Sequence, residues 1–325
     1  MNIGVIGAGA WGTALAQVLA RDGRPVRLWA READVVTSIN TAHENRIFLP
    51  GIPLDPAIWA TGSLAELAEC EALLLVTPAQ HLRPILAELQ PGTRPLVLCA
   101  KGIEAGTMQL MSEVARHICP EAPVAVLSGP TFAHEVARGL PTAITLACEE
   151  DALGRALANR LARTWFRPYL SDDVIGAEIG GAVKNVLAIA CGVVEGLGLG
   201  QNARAALIAR GFAEMTRFGL AKGARAETLA GLSGLGDLVL TCSSEASRNF
   251  SLGKGLGEGK SADALLAGSR TVAEGAFTAP VLLNAARALS VEMPVVEAVC
   301  QLLEGAVSVS EIVSGLLARP LRTEA

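Results

Sequence analysis

Lysine is scarce in this chain, and its positions suggest chemistry. Only five of the 27 basic residues are lysines: Lys101, Lys184, Lys222, Lys254 and Lys260. An ammonium can surrender its proton when desolvated, whereas a guanidinium effectively cannot. Lys254 and Lys260 stand in a glycine-rich stretch and need no special role. Lys184 is the sharpest case, because it interrupts the apolar helical pattern from Glu178 to Cys191. A charge buried there needs a partner, a lowered pKa or a wet cleft. All three suit a group that gives and takes a proton, with Asn185 beside it to hold it in place. The plainer alternative is a lysine whose stem lies along a helix face while its head reaches water.

Three further positions repeat this logic. Lys101 directly follows the apolar run PLVLCA. Ligands of open α/β sheets bind beyond the carboxyl ends of strands, although a solvated loop lysine reads the same way. Asp237 is the one charge in Gly231–Thr241 and could pair with a catalytic lysine or cap a helix. Ser247-Arg248-Asn249 combines a guanidinium with neutral donors, which suits a phosphate, or else lies on a surface helix face.

The first residues explain what such groups would work beside. Gly7-Ala8-Gly9-Ala10-Trp11-Gly12 is GxGxxG, preceded by an apolar strand and opening a helix, the context the motif requires. Gly7 permits a tight turn, Gly9 lets the backbone approach a pyrophosphate, and Gly12 lets helix and strand pack closely. The helix N-terminus favours the phosphate charge. Gly7, Gly9, Ala10 and Gly12 are therefore candidate dinucleotide contacts. Past the end of the second strand stands Arg31, where an NAD site usually carries an acid. A guanidinium there suits a 2′-phosphate and favours NADPH, with NADH open as an alternative. Glu32 is the residue that opposes this choice, and an ordinary exposed arginine is the plainer account of Arg31.

The elements that must position these groups follow the same division. Asn2–Ile6, Pro25–Trp29, Ala72–Val76, Pro95–Cys99, Val124–Leu127 and Thr142–Cys148 read as strands, with Thr13–Arg21 as the first helix. Short apolar runs alternating with helices predict an α/β fold with a mainly parallel, Rossmann-type doubly wound sheet. Beyond Leu170 the strand signals nearly vanish. Ser171-Asp172-Asp173 offers capping oxygens to a helix from Asp173 to about Glu195, and helical composition continues through Phe218. The expectation is a dinucleotide-binding domain over residues 1–171 and an all-helical substrate and catalytic domain over 172–325. Gly253–Gly259 reads as a mobile loop.

Composition narrows the function classes. The chain has 325 residues, 51% of them hydrophobic, with a net charge of −5. It offers no broad cationic field for nucleic acid. Seven scattered cysteines without a CxxC read as buried free thiols in a reducing compartment. Four unpaired histidines predict no metal site. Glycines and polar residues interrupt the uncharged first 20 residues, and no basic segment precedes them. The expectation is a cytoplasmic protein without membrane insertion.

Together these residues resemble bacterial-type NAD(P)-dependent glycerol-3-phosphate dehydrogenases, from Gly4 to about Val299. The resemblance is carried in order by GAGAWGTALA (7–16), NRIFLPGI (45–52), KGIE (101–104), SGPTFAHEVARGLPTA (128–143) and EIGGAVKN (178–185). It continues through GLGLGQNARAALI (196–208), GLSGLGDLVLTC (231–242) and SRNFSLG (247–253). It implies an oxidoreductase that reduces dihydroxyacetone phosphate to sn-glycerol 3-phosphate and feeds phospholipid synthesis. Lys184 matches the general acid/base, and Lys101 and Asp237 match substrate-contacting residues in the same polar network. Gly129, Thr131, Asn185, Ser247, Arg248 and Asn249 match positions around the substrate. Trp11, Arg31, Lys101, Ala133, Val272 and Glu274 match cofactor positions, with Arg248 shared by both ligands. The implied partner is a small phosphorylated substrate, and a homodimer accords with the resemblance. Phe48, Thr77 and His134 depart from the commoner pattern without removing a catalytic group.

Two rivals share parts of this pattern. Ketopantoate reductases and 3-hydroxyacid dehydrogenases also join a Rossmann domain to helices, but Arg248-Asn249 argues for a phosphorylated substrate. A non-catalytic NADPH-binding protein would keep the glycines without needing Lys184 or Asp237 in apolar settings.

Overall fold

The computed structural model describes residues 1–267, 273–305, 307, 309 and 311. Its ten strands are β1 (Ile3–Ile6), β2 (Val26–Trp29), β3 (Glu44–Asn45), β4 (Leu49–Pro53), β5 (Ile58–Thr61), β6 (Ala72–Leu75), β7 (Leu96–Leu98), β8 (Val124–Ser128), β9 (Thr142–Cys148) and β10 (Phe166–Ser171). Between them lie helices α1 (Ala10–Ala20), α2 (Ala33–Ala42), α3 (Leu82–Leu89), α4 (Met111–Ile118), α5 (Ala133–Ala137) and α6 (Asp151–Leu161).

Eight strands form one sheet in the order β10-β9-β8-β7-β6-β1-β2-β5, and β3 pairs with β4 in a separate hairpin. Every pair in the large sheet is parallel except β8 with β9. The chain runs outward from β1 through β2 to β5, then returns to β6 on the other side of β1. The junction of β1 and β6 is therefore the topological switch point, where ligands of such sheets bind.

The period-2 alternation of strand side chains builds a core on each face. Ile3 and Val5 of β1 and Leu74 of β6 join one cluster, which includes Leu15 and Leu19 of α1 and Leu157 of α6. Ile6, Leu73 and Leu75 join the other, which includes Leu82 and Leu86 of α3 and Val114 of α4. Four strands lie outside the expected set: β3 and β4 of the hairpin, and the two edge strands β5 and β10 of the large sheet. Edge strand β10 alternates weakly, carrying Arg167 and Pro168 on a largely exposed ribbon, whereas β5 is mostly buried.

The remaining described elements are helical: α7 (Val174–Gly196), α8 (Gly200–Ala221), α9 (Ala226–Leu229), α10 (Asp237–Cys242), α11 (Arg248–Gly257), α12 (Ala262–Ala267), α13 (Glu274–Ala288) and α14 (Pro294–Glu304). As its sequence suggests, α7 is capped by Asp173, whose Oδ1 accepts from Gly176 N at 2.8 Å. Its hydropathy and length would let it span a bilayer, but 94% of its most apolar window is buried in the fold.

The chain divides into two compact units, Met1–Gly181 with Gly223–Asp237, and Ala182–Lys222 with Leu238 onward. The expected division after residue 171 falls ten residues earlier, and one later segment returns to the first unit. The physical reason lies in that segment's contacts. Asp173 Oδ2 accepts from Arg225 N at 2.9 Å, and a Cβ at Gly180 would overlap the Ser233 carbonyl.

In the second unit the glycine-rich stretch is not a loop as far as Gly257, because it continues α11. A Cβ at Gly253 would overlap the Ile189 carbonyl, one at Gly192 the Phe250 carbonyl, and one at Gly196 the Lys254 carbonyl. The glycines of α7 and α11 thus let two helix backbones touch. Helix propensity disfavours each glycine by about 1 kcal/mol, and close packing overrides it.

Candidate active site

The fingerprint turn sits at the switch point. Gly7 has φ +113°, and a Cβ there would meet Val76 O at 2.8 Å. Its N–H donates to Trp29 O at 3.0 Å. A Cβ at Gly12 would overlap the Gly7 carbonyl, so α1 can pack on β1 only with glycine at that position. At Gly9, by contrast, a Cβ would meet nothing within 4 Å. The Gly9 backbone thus faces open space at the start of α1, where Ala10, Trp11 and Gly12 present N–H groups with no acceptor inside the helix. These features fit a dinucleotide pyrophosphate.

Asn45 secures this turn and was not singled out from the sequence. It is wholly buried and its amide donates to Ala8 O and to Thr13 Oγ1, both at 2.8 Å. The block NRIFLPGI held the signal without showing what it contacts. Beyond β2, Arg31 donates through Nε and Nη2 to Glu32 Oε1 at 3.1 and 2.9 Å.

Lys101 follows β7 and Gly129 follows β8, so both stand on the carboxyl edge that carries the fingerprint. Lys101 Nζ lies 2.8 Å from Asp237 Oδ2 and 3.4 Å from Gly129 O. Asp237 is wholly buried, and the Lys101 side chain is 15% exposed. Asp237 ends a π-helical turn, Leu232–Gly236, a kind of irregularity found at functional sites. Gly181 leaves room for the lysine stem, since a Cβ there would lie 3.2 Å from both Lys101 Cγ and Ser128 Oγ. Thr131 Oγ1 donates to Gly129 O at 3.3 Å. Ala133 opens α5. Among the described residues, Thr77 Oγ1 and Ser128 Oγ on this edge are buried without a hydrogen-bond partner.

The loop carrying Lys101 is clamped by residues the sequence reading did not select. Gln80 donates to Ile103 O at 2.8 Å and accepts from Ala105 N at 2.9 Å. Arg83 grips Glu104 through two bonds, at 2.8 and 2.7 Å, and this holds the Glu104 carboxyl below its usual range. Burial pushes the Cys99 thiol up to about 12, which makes it an inert neighbour of Lys101. All seven cysteines are buried free thiols, as their apolar settings suggest.

In the second unit, Lys184 is 6% exposed on α7. Asn249 Nδ2 donates to Asn185 Oδ1 at 3.0 Å, and Asn249 Oδ1 accepts from Gly275 N at 2.9 Å. Asn249 therefore ties α7 to the start of α13, where Glu274 stands. Ser247 caps α11 by accepting from Phe250 N at 3.3 Å, and Arg248 is exposed at the first turn of that helix. Val272 lies outside the described residues. Among the described residues, no group of three or more His, Cys, Asp or Glu side chains is placed to hold a metal.

Comparison with known proteins agrees with this geometry. Residues 2–154 match the family described as NAD-dependent glycerol-3-phosphate dehydrogenase N-terminus, and residues 173–314 match the corresponding C-terminus family. The chain is 66% identical over 326 residues to glycerol-3-phosphate dehydrogenase [NAD(P)+] of Novosphingobium aromaticivorans, covering 99% of this chain and 98% of that protein. It is 63% identical over 323 residues to glycerol-3-phosphate dehydrogenase [NAD(P)+] 1 of Sphingopyxis alaskensis, with the same coverage of 99% and 98%. The crystal structure of glycerol-3-phosphate dehydrogenase from Coxiella burnetii superposes with a TM-score of 0.94 at 39% identity, covering 98% of this chain and 99% of that one.

Proposed function

The chain belongs to the NAD-dependent glycerol-3-phosphate dehydrogenase family, and from that membership we propose that it reduces dihydroxyacetone phosphate to sn-glycerol 3-phosphate, reversibly, with NAD(P)H. The product supplies glycerophospholipid synthesis. One observation of the first unit carries the reading. A pyrophosphate-fitting glycine turn shares the carboxyl edge of the sheet with a lysine ion-paired to a wholly buried aspartate. A protein that only bound dinucleotide would have no use for that pair.

The functional division we propose is dinucleotide binding by residues 1–171 and substrate work by residues 172–325, and Lys101, Gly129 and Thr131 are proposed substrate contacts as well. Gly7, Gly9, Ala10, Trp11 and Gly12 hold the pyrophosphate, and Arg31 meets the adenosine ribose. Lys101, Ala133, Arg248, Val272 and Glu274 complete the cofactor contacts. NADPH is the preferred cofactor and NADH the alternative. The bound cofactor supplies the hydride that adds to the ketone carbon.

The chain's own residues manage charge and protons. Lys184 gives its proton to the substrate oxygen as that oxygen becomes an alkoxide, and takes one back in the reverse direction. Lys101, oriented by Asp237, donates to the substrate and supports the developing negative charge. Gly129 and Thr131 line the space beside it. Arg248 and the free N–H groups at the start of α11 receive the phosphate. Asn249 has one amide hydrogen in use, leaving its second for the phosphate. Asn185 and Ser247 serve the substrate by holding Asn249 and α11 in place.

We place the enzyme in the cytoplasm, as a homodimer, without nucleic-acid partners or membrane insertion. Seven buried thiols and a net charge of −5 support that setting. The test is the loss of reduced-nicotinamide absorbance with dihydroxyacetone phosphate, set against an unphosphorylated keto acid. Turnover that requires the phosphorylated ketone is expected. Turnover of the keto acid alone would overturn the reading.

A further inference from the structure

Rossmann sites read the adenosine ribose just past the second strand. An acid there accepts from the 2′-hydroxyl of NAD, whereas an arginine nearby takes the 2′-phosphate of NADP. This chain carries both, side by side, as Arg31 and Glu32. We propose that Glu32 restrains NADPH by competing with its 2′-phosphate for Arg31, and so sets the balance between the two cofactors. The proposal rests on the reading above that Arg31 meets the ribose.

The geometry of the pair supports competition. Glu32 occupies the N-cap position of α2, where a carboxylate is favoured by the helix dipole, yet its side chain makes no cap hydrogen bond. It turns back instead, and Oε1 accepts from both Nε and Nη2 of Arg31 at 3.1 and 2.9 Å. The guanidinium edge that suits a phosphate is thus already engaged. The side chains are 72% and 34% exposed, so the pair faces solvent and exchanges at little cost.

The two cofactors meet this pair differently. A ribose 2′-hydroxyl can donate to Oε2 of Glu32, which the arginine leaves unused, and the ion pair survives. A 2′-phosphate must instead take Arg31 from Glu32 before the guanidinium can hold it. Glu32 therefore supports NADH and restrains NADPH, while Arg31 does the reverse.

Equilibrium binding of NADPH and of NADH, followed by tryptophan fluorescence without substrate, tests this in the whole protein. The set comprises the parent, Glu32→Gln, Arg31→Ala and the double variant. Glu32→Gln is expected to tighten NADPH roughly three- to tenfold without tightening NADH. Arg31→Ala weakens NADPH selectively, and in that background Glu32→Gln brings no further gain. If Arg31→Ala is selective but Glu32→Gln leaves NADPH unchanged, the competition is wrong. An undiminished gain in the Arg31→Ala background would mean simple repulsion by Glu32, and would also overturn it. Equal weakening of both cofactors by Arg31→Ala would remove the underlying reading of Arg31 and the competition with it.

Discussion

The ammonium of Lys101 lies 2.8 Å from the carboxylate of Asp237, which stands 136 residues further along the chain and has no exposed surface. The pair fixes a cation at the carboxyl edge of the sheet, oriented by a group that water does not reach. Asp237→Asn keeps the side chain's shape but removes the charge that orients Lys101. It is expected to lower kcat/KM by roughly 10²-fold, the usual effect of a misplaced catalytic group. Dinucleotide affinity should fall much less than kcat/KM, because Lys101 is one of several proposed cofactor contacts. Steady-state kinetics with parallel cofactor titration checks this, and unchanged kcat/KM would show that the pair serves only the fold.

Lys184 carries the proton in the proposed reaction. Lys184→Ala should leave NADPH binding largely intact while kcat falls by roughly 10²–10⁴. Near-parental turnover in a folded variant would take the role away from Lys184.

The fingerprint glycines should separate binding from folding. At Gly9 a Cβ enters open space, so Gly9→Ala should fold normally yet lose dinucleotide affinity, by tenfold or more on the order of one lost phosphate contact. At Gly12 a Cβ would overlap the Gly7 carbonyl, so Gly12→Ala should destabilise the first unit by roughly 1–3 kcal/mol or more. Thermal melting and cofactor titration of both variants distinguish the two effects. A stable Gly12→Ala with parental melting would contradict the packing argument.

Glu178 supplies a pH dependence. Its carboxylate is buried against Ser112 N and Oγ, and burial pushes its pKa up from 4.5 to about 7. Between those values the folded chain keeps a proton that the unfolded chain has released. The stabilisation is therefore full below 4.5, falls as pH rises to about 7, and is absent above. Glu178→Gln reproduces the neutral form, accepting from Ser112 N and donating to its hydroxyl. It should raise stability at about pH 8, by up to roughly 3 kcal/mol, and change little near pH 5. Denaturation of both proteins across that range gives the difference, and a pH-independent difference would contradict the assignment.

How much of this was legible beforehand depended on how local each feature is. The glycine fingerprint, the strands β1, β2 and β6–β9, the Asp173 cap and the extent of α7 all follow from period-2 burial, from backbone sterics and from capping oxygens within a few residues. The edge strand β10 does not stand out, because a ribbon paired on one side and largely exposed needs little apolar alternation. The stretch from Gly253 reads as a loop because glycine propensity is a local quantity, whereas its helical state depends on the carbonyl of Ile189 against which it packs.

The sequence by itself determined which side chains could do chemistry: a lysine in an apolar helix, an aspartate in an apolar run, a glycine turn opening a helix. Only the tertiary structure decided their partners. It paired Asp237 with Lys101, gave Asn249 to Asn185 and Gly275, clamped the Lys101 loop with Gln80 and Glu104, and turned Glu32 back on Arg31. A residue's type sets what it can donate, accept or carry. Its partner is set by chain topology and backbone approach, which bring together groups such as Lys101 and Asp237, 136 residues apart, that no local pattern relates.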